Sequence, residues 1–577
     1  MIVNRFKTEF ADTIFRNKYA QGANDTWDAL CERVVDDVCG TRGGTLPALM
    51  NEGDRHQLLQ YMKEMAFIAG GRYLYYAGRP YHAFNNCYLL RAEEDTREEW
   101  SNVTWRAMSC LMTGGGIGID YSRLRPAGKA LSRTGGIASG PLPLMSAINE
   151  IGRNVMQGGS RRSAIYASLN WQHEDIPEFL KVKNWSQFIK EQKEKDFNFP
   201  APLDMTNISV NYDDAALLGE GYSYKEYKVA GSHEELNKIN KEFFFKQVNT
   251  LAENPIFLQN VRQAMETGEP GFSFNFGDKQ NETLRNACTE VTSEDDSDVC
   301  NLGSINLGNI SSLEDFKSVV SLASKFLVCG TLRADLPYEK VYRVREKNRR
   351  LGLGLMGIHE WLLQRGAKYE VTPELHEWLK VYRDESKRAA DEHCDRFFIS
   401  RPVAYRAIAP TGTIGILAST TTGIEPLFAV AYKRRFLTEG TKWKYSYVVD
   451  ATADRLIKEY GIDPSSIDTA YKLSHDYERR IKFQADIQDY VDMSISSTIN
   501  LPSWGSKGNK ESDVELFANT LAKYAPRLRG FTCYPDGSRG GQPITECDYG
   551  EALTHKGTVF EEHDVCDITG HGGSCGV

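Results

Sequence analysis

The chain has no run of about 18 apolar residues, the least that spans a membrane as a helix. Its first residues, Met1-Ile2-Val3-Asn4-Arg5-Phe6-Lys7, lead into no apolar signal core. Positive charge is not in excess: 69 Lys and Arg stand against 78 Asp and Glu, for a net charge of -9. That argues against a general nucleic-acid-binding surface, while leaving room for a pocket that holds one small anion. A Walker A stretch is missing, which excludes an ordinary P-loop ATPase. The 12 cysteines are scattered, unlike those of a small secreted disulfide scaffold. A reducing, cytoplasmic compartment with most thiols free is expected, and no internal repeat of fixed period is visible.

At 577 residues the chain has room for about three or four domains, or for one large barrel with helical additions. Hydrophobic residues at 41% and charged residues at 25% are ordinary for a globular protein. Residues 8–40 read as helices: Asp25-Thr26 supplies a cap, and Trp27 to Val35 has helical apolar spacing. Farther on, strand and helix signals alternate, as in an α/β protein.

One stretch carries the most chemistry: Asn286-Ala287-Cys288-Thr289-Glu290, followed by Val299-Cys300-Asn301-Leu302. In an extended segment alternate side chains share a face, so Asn286, Cys288 and Glu290 point to one site. A thiol, a proton-transfer carboxylate and an amide suit redox or radical chemistry. The same residues also suit two buried structural cysteines. Cys87 opens a strand after Asn85-Asn86, where it is either core packing or half of a dithiol. Three glycine-rich loops, at 114–118, 135–140 and 158–164, lie close together. Arginines beside the first (Arg123, Arg125) and within the third (Arg161, Arg162) suggest a nucleotide-handling surface. Ala409-Pro410-Thr411-Gly412-Thr413-Ile414 has the look of a strand-to-helix turn, and so of a phosphate site or a simple N-cap.

The order of these stretches resembles the catalytic subunit of ribonucleotide reductase, over roughly residues 60 to 545. The motifs run Asn85-Asn86-Cys87, Gly114-Gly115-Gly116-Ile117-Gly118, Ser139-Gly140-Pro141, then Gly158-Gly159-Ser160-Arg161-Arg162-Ser163-Ala164. Asn286 to Glu290, Cys300 to Asn306, Asn348-Arg349-Arg350-Leu351-Gly352, Pro410 to Ile414 and Gly423-Ile424-Glu425-Pro426 complete them.

The resemblance implies a ten-stranded α/β barrel of two parallel five-stranded halves over 61–540, with a central finger loop. N-terminal helices over 1–60 would lack the family's ATP cone, and a flexible redox tail would span 541–577. It implies Cys288 as the radical cysteine that takes the 3′-hydrogen of the ribose. Glu290 would take the 3′-hydroxyl proton, and Asn286 would hold the neighbouring hydroxyl and carboxylate. Cys87 and Cys300 would be the dithiol, and Cys566 and Cys575 the tail pair that reduces it again. A zinc clip of His555, His563, Cys566, His571 and Cys575 is the competing reading of the tail. Asn86 with Thr411, Gly412, Thr413 and Ile414 would bind substrate. Glu94, or Asp95 in the other register, with Arg123 or Arg125 would bind a dNTP or ATP effector, and Gly158 to Ala164 would report its identity to the pocket.

The radical source follows from the last strand. Thr532-Cys533-Tyr534-Pro535 carries one tyrosine, where the oxygen-dependent class has two in a row. The segment Gly530 to Arg539 resembles the adenosylcobalamin-dependent class, so the resemblance implies adenosylcobalamin as the cofactor, with no metal held by the protein itself. The alternatives are a large subunit served by a separate metal-containing subunit and, more distantly, an inactive nucleotide-binding regulator. The expected partners are the ribonucleotide, a dNTP, a thioredoxin- or glutaredoxin-like reductant and a second copy of the chain. Neither nucleic acid nor membrane is expected.

Overall fold

The structure is a computed structural model that describes residues 5–155, 164–196, 199–219, 250–437, 443–536, 544–556 and 558–561. Three helices lead in: α1 (Glu9–Lys18), α2 (Trp27–Cys39) and α3 (Glu52–Lys63). Each begins at a side-chain cap, from Thr8, Thr26 and Asn51 in turn, which satisfies an N–H that the first turn leaves open. Phe15 of α1 and Trp27 of α2 pack edge to face, with Phe6 against both.

The strands are β1 (Phe67–Ala69), β2 (Cys87–Arg91), β3 (Gly116–Asp120), β4 (Ile165–Asn170), β5 (Thr206–Tyr212) and β6 (Gly271–Phe274). Then come β7 (Leu284–Arg285), β8 (Thr292–Ser293), β9 (Asp298–Asn306) and β10 (Leu351–Met356). The last are β11 (Ala431–Leu437), β12 (Trp443–Val449), β13 (Thr498–Leu501), β14 (Gly530–Pro535), β15 (Ile544–Glu546) and β16 (Val559–Glu561).

Strands β2 to β6 pair in parallel, in chain order. A second parallel set comprises β9, β10, the segment 404–408, β13 and β14. Single bridges, Leu353 to Arg406 and Ile408 to Ile495, join that segment to its neighbours. The two sets meet antiparallel, β2 with β9 and β6 with β14, so the sheet closes on itself. This is the expected ten-stave barrel of two five-stave halves. Helices lie in the crossovers, which is why β2, β3 and β10 are buried along their whole length.

The Leu351 to Met356 run reads in the sequence as a glycine-punctuated lead into a helix, but it forms β10. Its glycines serve close approach: a Cβ on Gly352 would come 2.9 Å from Cys300 Sγ. The hairpin β7–β8 packs against β2 and β3. A Cβ on Gly118 of β3 would overlap the Arg285 carbonyl oxygen, so glycine there admits the hairpin.

A four-stranded antiparallel sheet, β15-β11-β12-β16, stands apart from the barrel sheet. This corrects the expected flexible tail over 541–577. Its part from 544 to 561 includes β15, the helix Tyr549–Thr554 and β16, and both strands are paired to β11 and β12. Residues 562–577, with Cys566 and Cys575, lie outside the described residues. Among the described residues no helix is long and apolar enough to cross a membrane.

Candidate active site

Cys87 and Cys300 are direct partners across the antiparallel junction of β2 and β9. Residues opposite each other in such a pair have Cα atoms about 4.5–5.5 Å apart, within the span a disulfide bridges. The barrel closure therefore makes a dithiol of two cysteines far apart in sequence. Cys87 is 7% exposed and Cys300 1%. The Cys300 thiol donates to Asn301 O at 3.3 Å. Burial, then the charges of Glu290 and Asp298, hold it well above the usual thiol range, so it keeps its proton.

The hairpin tip carries two further candidates, Cys288 and Glu290. Its turn is fixed by three bonds: Thr289 N–H to Asn286 O at 3.0 Å, Val291 N–H to Asn286 Oδ1 at 2.9 Å, and Ser494 N–H to Glu290 O at 2.8 Å. Thr289 takes a left-handed backbone, φ 71°, which costs energy for a branched residue. Buried charges lock the hairpin base. Glu282 accepts from Arg529 at 3.0 Å and from Thr292 Oγ1 at 2.7 Å. Asp298 accepts from Arg350 and Ser293, each at 2.7 Å. The Arg285 guanidinium is spent on Asn275 Oδ1 at 2.8 Å and on backbone carbonyls.

A cavity of 330 Å³ opens at the tip and is walled by Cys288, Glu290, Cys87, Asn86 and the turn Thr411–Ile414. Cys288 is half-buried, unlike the two cysteines behind it. Glu290 is 1% exposed, and burial pushes its carboxyl up to about 7 against a smaller opposing pull from Asn286. Glu290 Oε2 and Asn86 Oδ1, both on cavity-lining residues, are buried without a hydrogen-bond partner. Asn286, expected to touch substrate, is fully buried behind the wall, and its Oδ1 braces the turn. Its Nδ2, like Glu290 Oε2, is buried without a hydrogen-bond partner.

At the far side, Thr411 begins the short helix Gly412–Ala418 with a left-handed backbone, φ 49°. Its Oγ1 accepts the Gly423 N–H at 2.8 Å, and no side chain caps the helix start. Ala164 also lines the cavity, while Gly158, Gly159, Ser160, Arg161, Arg162 and Ser163 lie outside the described residues. Among the effector candidates, Arg125 grips Asp95 in a half-exposed ion pair, Arg123 reaches Glu93 O at 3.4 Å, and Glu94 is exposed. Of the zinc-clip candidates only His555 is described, its ring beside Tyr447. Among the described residues no group of three metal-ligating side chains is brought together.

Tyr19, Gly70 and Gly71 line the cavity without any role in the sequence reading, while Ser304, also in the wall, belongs to the Cys300 to Asn306 motif. The Gly70-Gly71 pair was the available hint: a Cβ on Gly70 would meet Leu302 O at 2.7 Å.

Residues 85–377 and 401–525 match the family model described as "Ribonucleotide reductase, barrel domain". The chain is 26% identical over 551 residues to a vitamin B12-dependent ribonucleoside-diphosphate reductase of Mycobacterium tuberculosis, covering 86% of this chain and 74% of that one. It is 26% identical over 561 residues to the protein of the same name from Thermoplasma acidophilum, covering 88% of this chain and 68% of that one. A solved B-12 dependent (class II) ribonucleotide reductase superposes with a TM-score of 0.67 at 15% identity, over 96% of this chain and 95% of that one. That likeness is one of fold.

Proposed function

The chain belongs to the ribonucleotide reductase family, and on that premise we propose that it reduces ribonucleoside diphosphates to 2′-deoxyribonucleotides, with adenosylcobalamin as radical source. The observation that carries this reading is one cavity walled by Cys288, Glu290 and Cys87, with Cys300 directly opposite Cys87.

Adenosylcobalamin, when bound, supplies a one-electron oxidant by homolysis of its cobalt–carbon bond. The chain's residues fit that group in their exposure. Cys288 is half-buried at the cavity, whereas Cys87 and Cys300 are buried, and Cys288 is the residue that would be oxidised once the cofactor was bound. Cys288, as a thiyl, takes the 3′-hydrogen of the ribose. Glu290, ionised, accepts the 3′-hydroxyl proton, and its raised value keeps it a competent base near neutrality. Cys87 and Cys300 together give up two electrons and two protons as the 2′-hydroxyl leaves as water, and they end as a disulfide. Asn86 and the turn Thr411–Ile414 hold the substrate, the turn at its phosphates.

The competing two-component reading calls for two consecutive tyrosines. β14 carries Tyr534 alone, beside Cys533, which is buried and has its thiol pushed up to about 12. The relatives' printed names also favour vitamin B12. The same reading assigns a dNTP to the region of Glu94, Asp95, Arg123 and Arg125, a thioredoxin- or glutaredoxin-like donor to Cys566 and Cys575, and a second copy of the chain as partner.

The test is anaerobic reduction of CDP, and of CTP in parallel, with dithiothreitol and mixed dNTPs. Product is expected only when adenosylcobalamin is added, and from CDP above CTP. Turnover that needs a second, metal-containing protein and ignores the cobalamin would overturn the assignment.

A further inference from the structure

Helix α1 lies on the short helix Gly412–Ala418, which continues the Thr411–Ile414 turn. The residue that ends α1 is Tyr19, and it forms part of the cavity wall although it stands far from every motif in the chain. Its hydroxyl stands over Gly71, where a Cβ would come 2.9 Å from Oη, so glycine there gives the phenol its place. The ring is 7% exposed.

The segment around Tyr19 is firmly held. Tyr19 N–H bonds to Phe15 O at 2.9 Å. Arg16 donates to Asp25 O at 2.7 Å and to Ala23 O at 3.1 Å. Gln21 N–H reaches Asp25 Oδ2 at 2.7 Å, and Arg33 forks onto both oxygens of that carboxylate at 2.8 and 2.7 Å. Gln21 Nε2 then ties the loop to Ala77 O at 2.8 Å. A backbone fixed this way sets the place of the ring before a ligand arrives, so less freedom is lost on binding.

We propose that Tyr19 is a further substrate-contacting residue: its phenol donates a hydrogen bond to the distal phosphate of the bound ribonucleotide, and α1 closes the phosphate end of the cavity. The inference rests on the nucleotide reading of the cavity and extends it to how phosphates are counted. The reacting end is marked by Cys288, Glu290 and Cys87 and the phosphate end by Thr411–Ile414, against whose helix α1 is packed. A neutral donor to an anionic oxygen makes a charge-assisted bond, stronger than a neutral one.

Tyr19→Phe removes the hydroxyl and keeps the ring. Titration calorimetry on the whole protein with CDP, and with CMP by competition, reads the effect. CDP is expected to bind about tenfold more weakly to the variant, with CMP unchanged, and in turnover KM is expected to rise with kcat unchanged. Equal CDP affinity in the two proteins would overturn the proposal, and so would CDP and CMP weakened by the same factor. A wild type that shows this binding pattern but forms no deoxynucleotide would end the reductase reading and leave the contact standing.

Discussion

Cys288→Ser is expected to abolish deoxynucleotide formation, by at least about 10⁴-fold, and to leave CDP affinity within about twofold of wild type. The change is one atom at the tip of a turn that the backbone holds for itself. Its bonds run through Asn286, Thr289, Val291 and Ser494. The fold and the cavity wall therefore remain. What is lost is a bond weak enough to give up its hydrogen atom, because a serine O–H is far stronger than a thiol S–H. A hydroxyl at this place neither passes its hydrogen to the oxidant nor, as a radical, discriminates among the C–H bonds around it. Activity is read anaerobically with adenosylcobalamin present, and affinity by calorimetry. Turnover at even a tenth of the wild-type rate would move the radical to another residue.

Glu290→Gln is expected to lower kcat by about 10²–10⁴-fold and to change the pH profile as well as the rate. Glu290 acts as base only when ionised. Burial lifts its carboxyl from the usual 4.5 to about 7, so the wild-type rate is expected to fall on acidification through about pH 7. In the Gln variant that acid limb disappears from the residual rate. Stability moves the other way. A carboxyl raised on folding contributes stability that is fully present below its unfolded value and is lost as pH rises through about 7. At pH 8 the wild type therefore holds a buried charge that the variant lacks, and Glu290→Gln is expected to melt at or above the wild-type temperature. A rate that keeps its acid limb in the variant, or a variant markedly less stable at pH 8, would remove Glu290 from the role of base.

The candidate residues stood out in the sequence because chemistry-bearing types are concentrated there. Asn286, Cys288 and Glu290 sit within five positions, although the segment is a turn through Thr289 and not the extended run that alternation assumes. Their neighbours stood out less. No spacing in the sequence brings Cys87 beside Cys300. Their pairing exists only once β2 meets β9, a contact whose reason lies in the closure of the whole barrel. β10 escaped because two of its six residues are glycine, poor strand formers, placed there for the space they leave beside Cys300 and the barrel wall. That Asn286 Oδ1 also accepts the Val291 N–H was not legible, since a buried amide that caps its own turn reads the same in sequence as one that does not. The segment 544–561 looked like a tail because its residues are polar. Its order comes from pairing with β11 and β12, about a hundred residues earlier in the chain. Tyr19 offered no signal, as an aromatic at a helix end usually belongs to the core.

The most direct test of the account is a single turnover without external reductant. Prereduced protein is mixed anaerobically with CDP, adenosylcobalamin and a dNTP, and every cysteine is then mapped by differential alkylation and mass spectrometry. Two thiols and one ribonucleotide yield one disulfide, one deoxyribonucleotide and one water. A Cys87–Cys300 disulfide is therefore expected in one-to-one proportion with dCDP, in protein whose Cys566 and Cys575 have been replaced by serine. Product formed while Cys87 and Cys300 remain reduced would contradict the central claim that this cross-strand pair supplies the electrons.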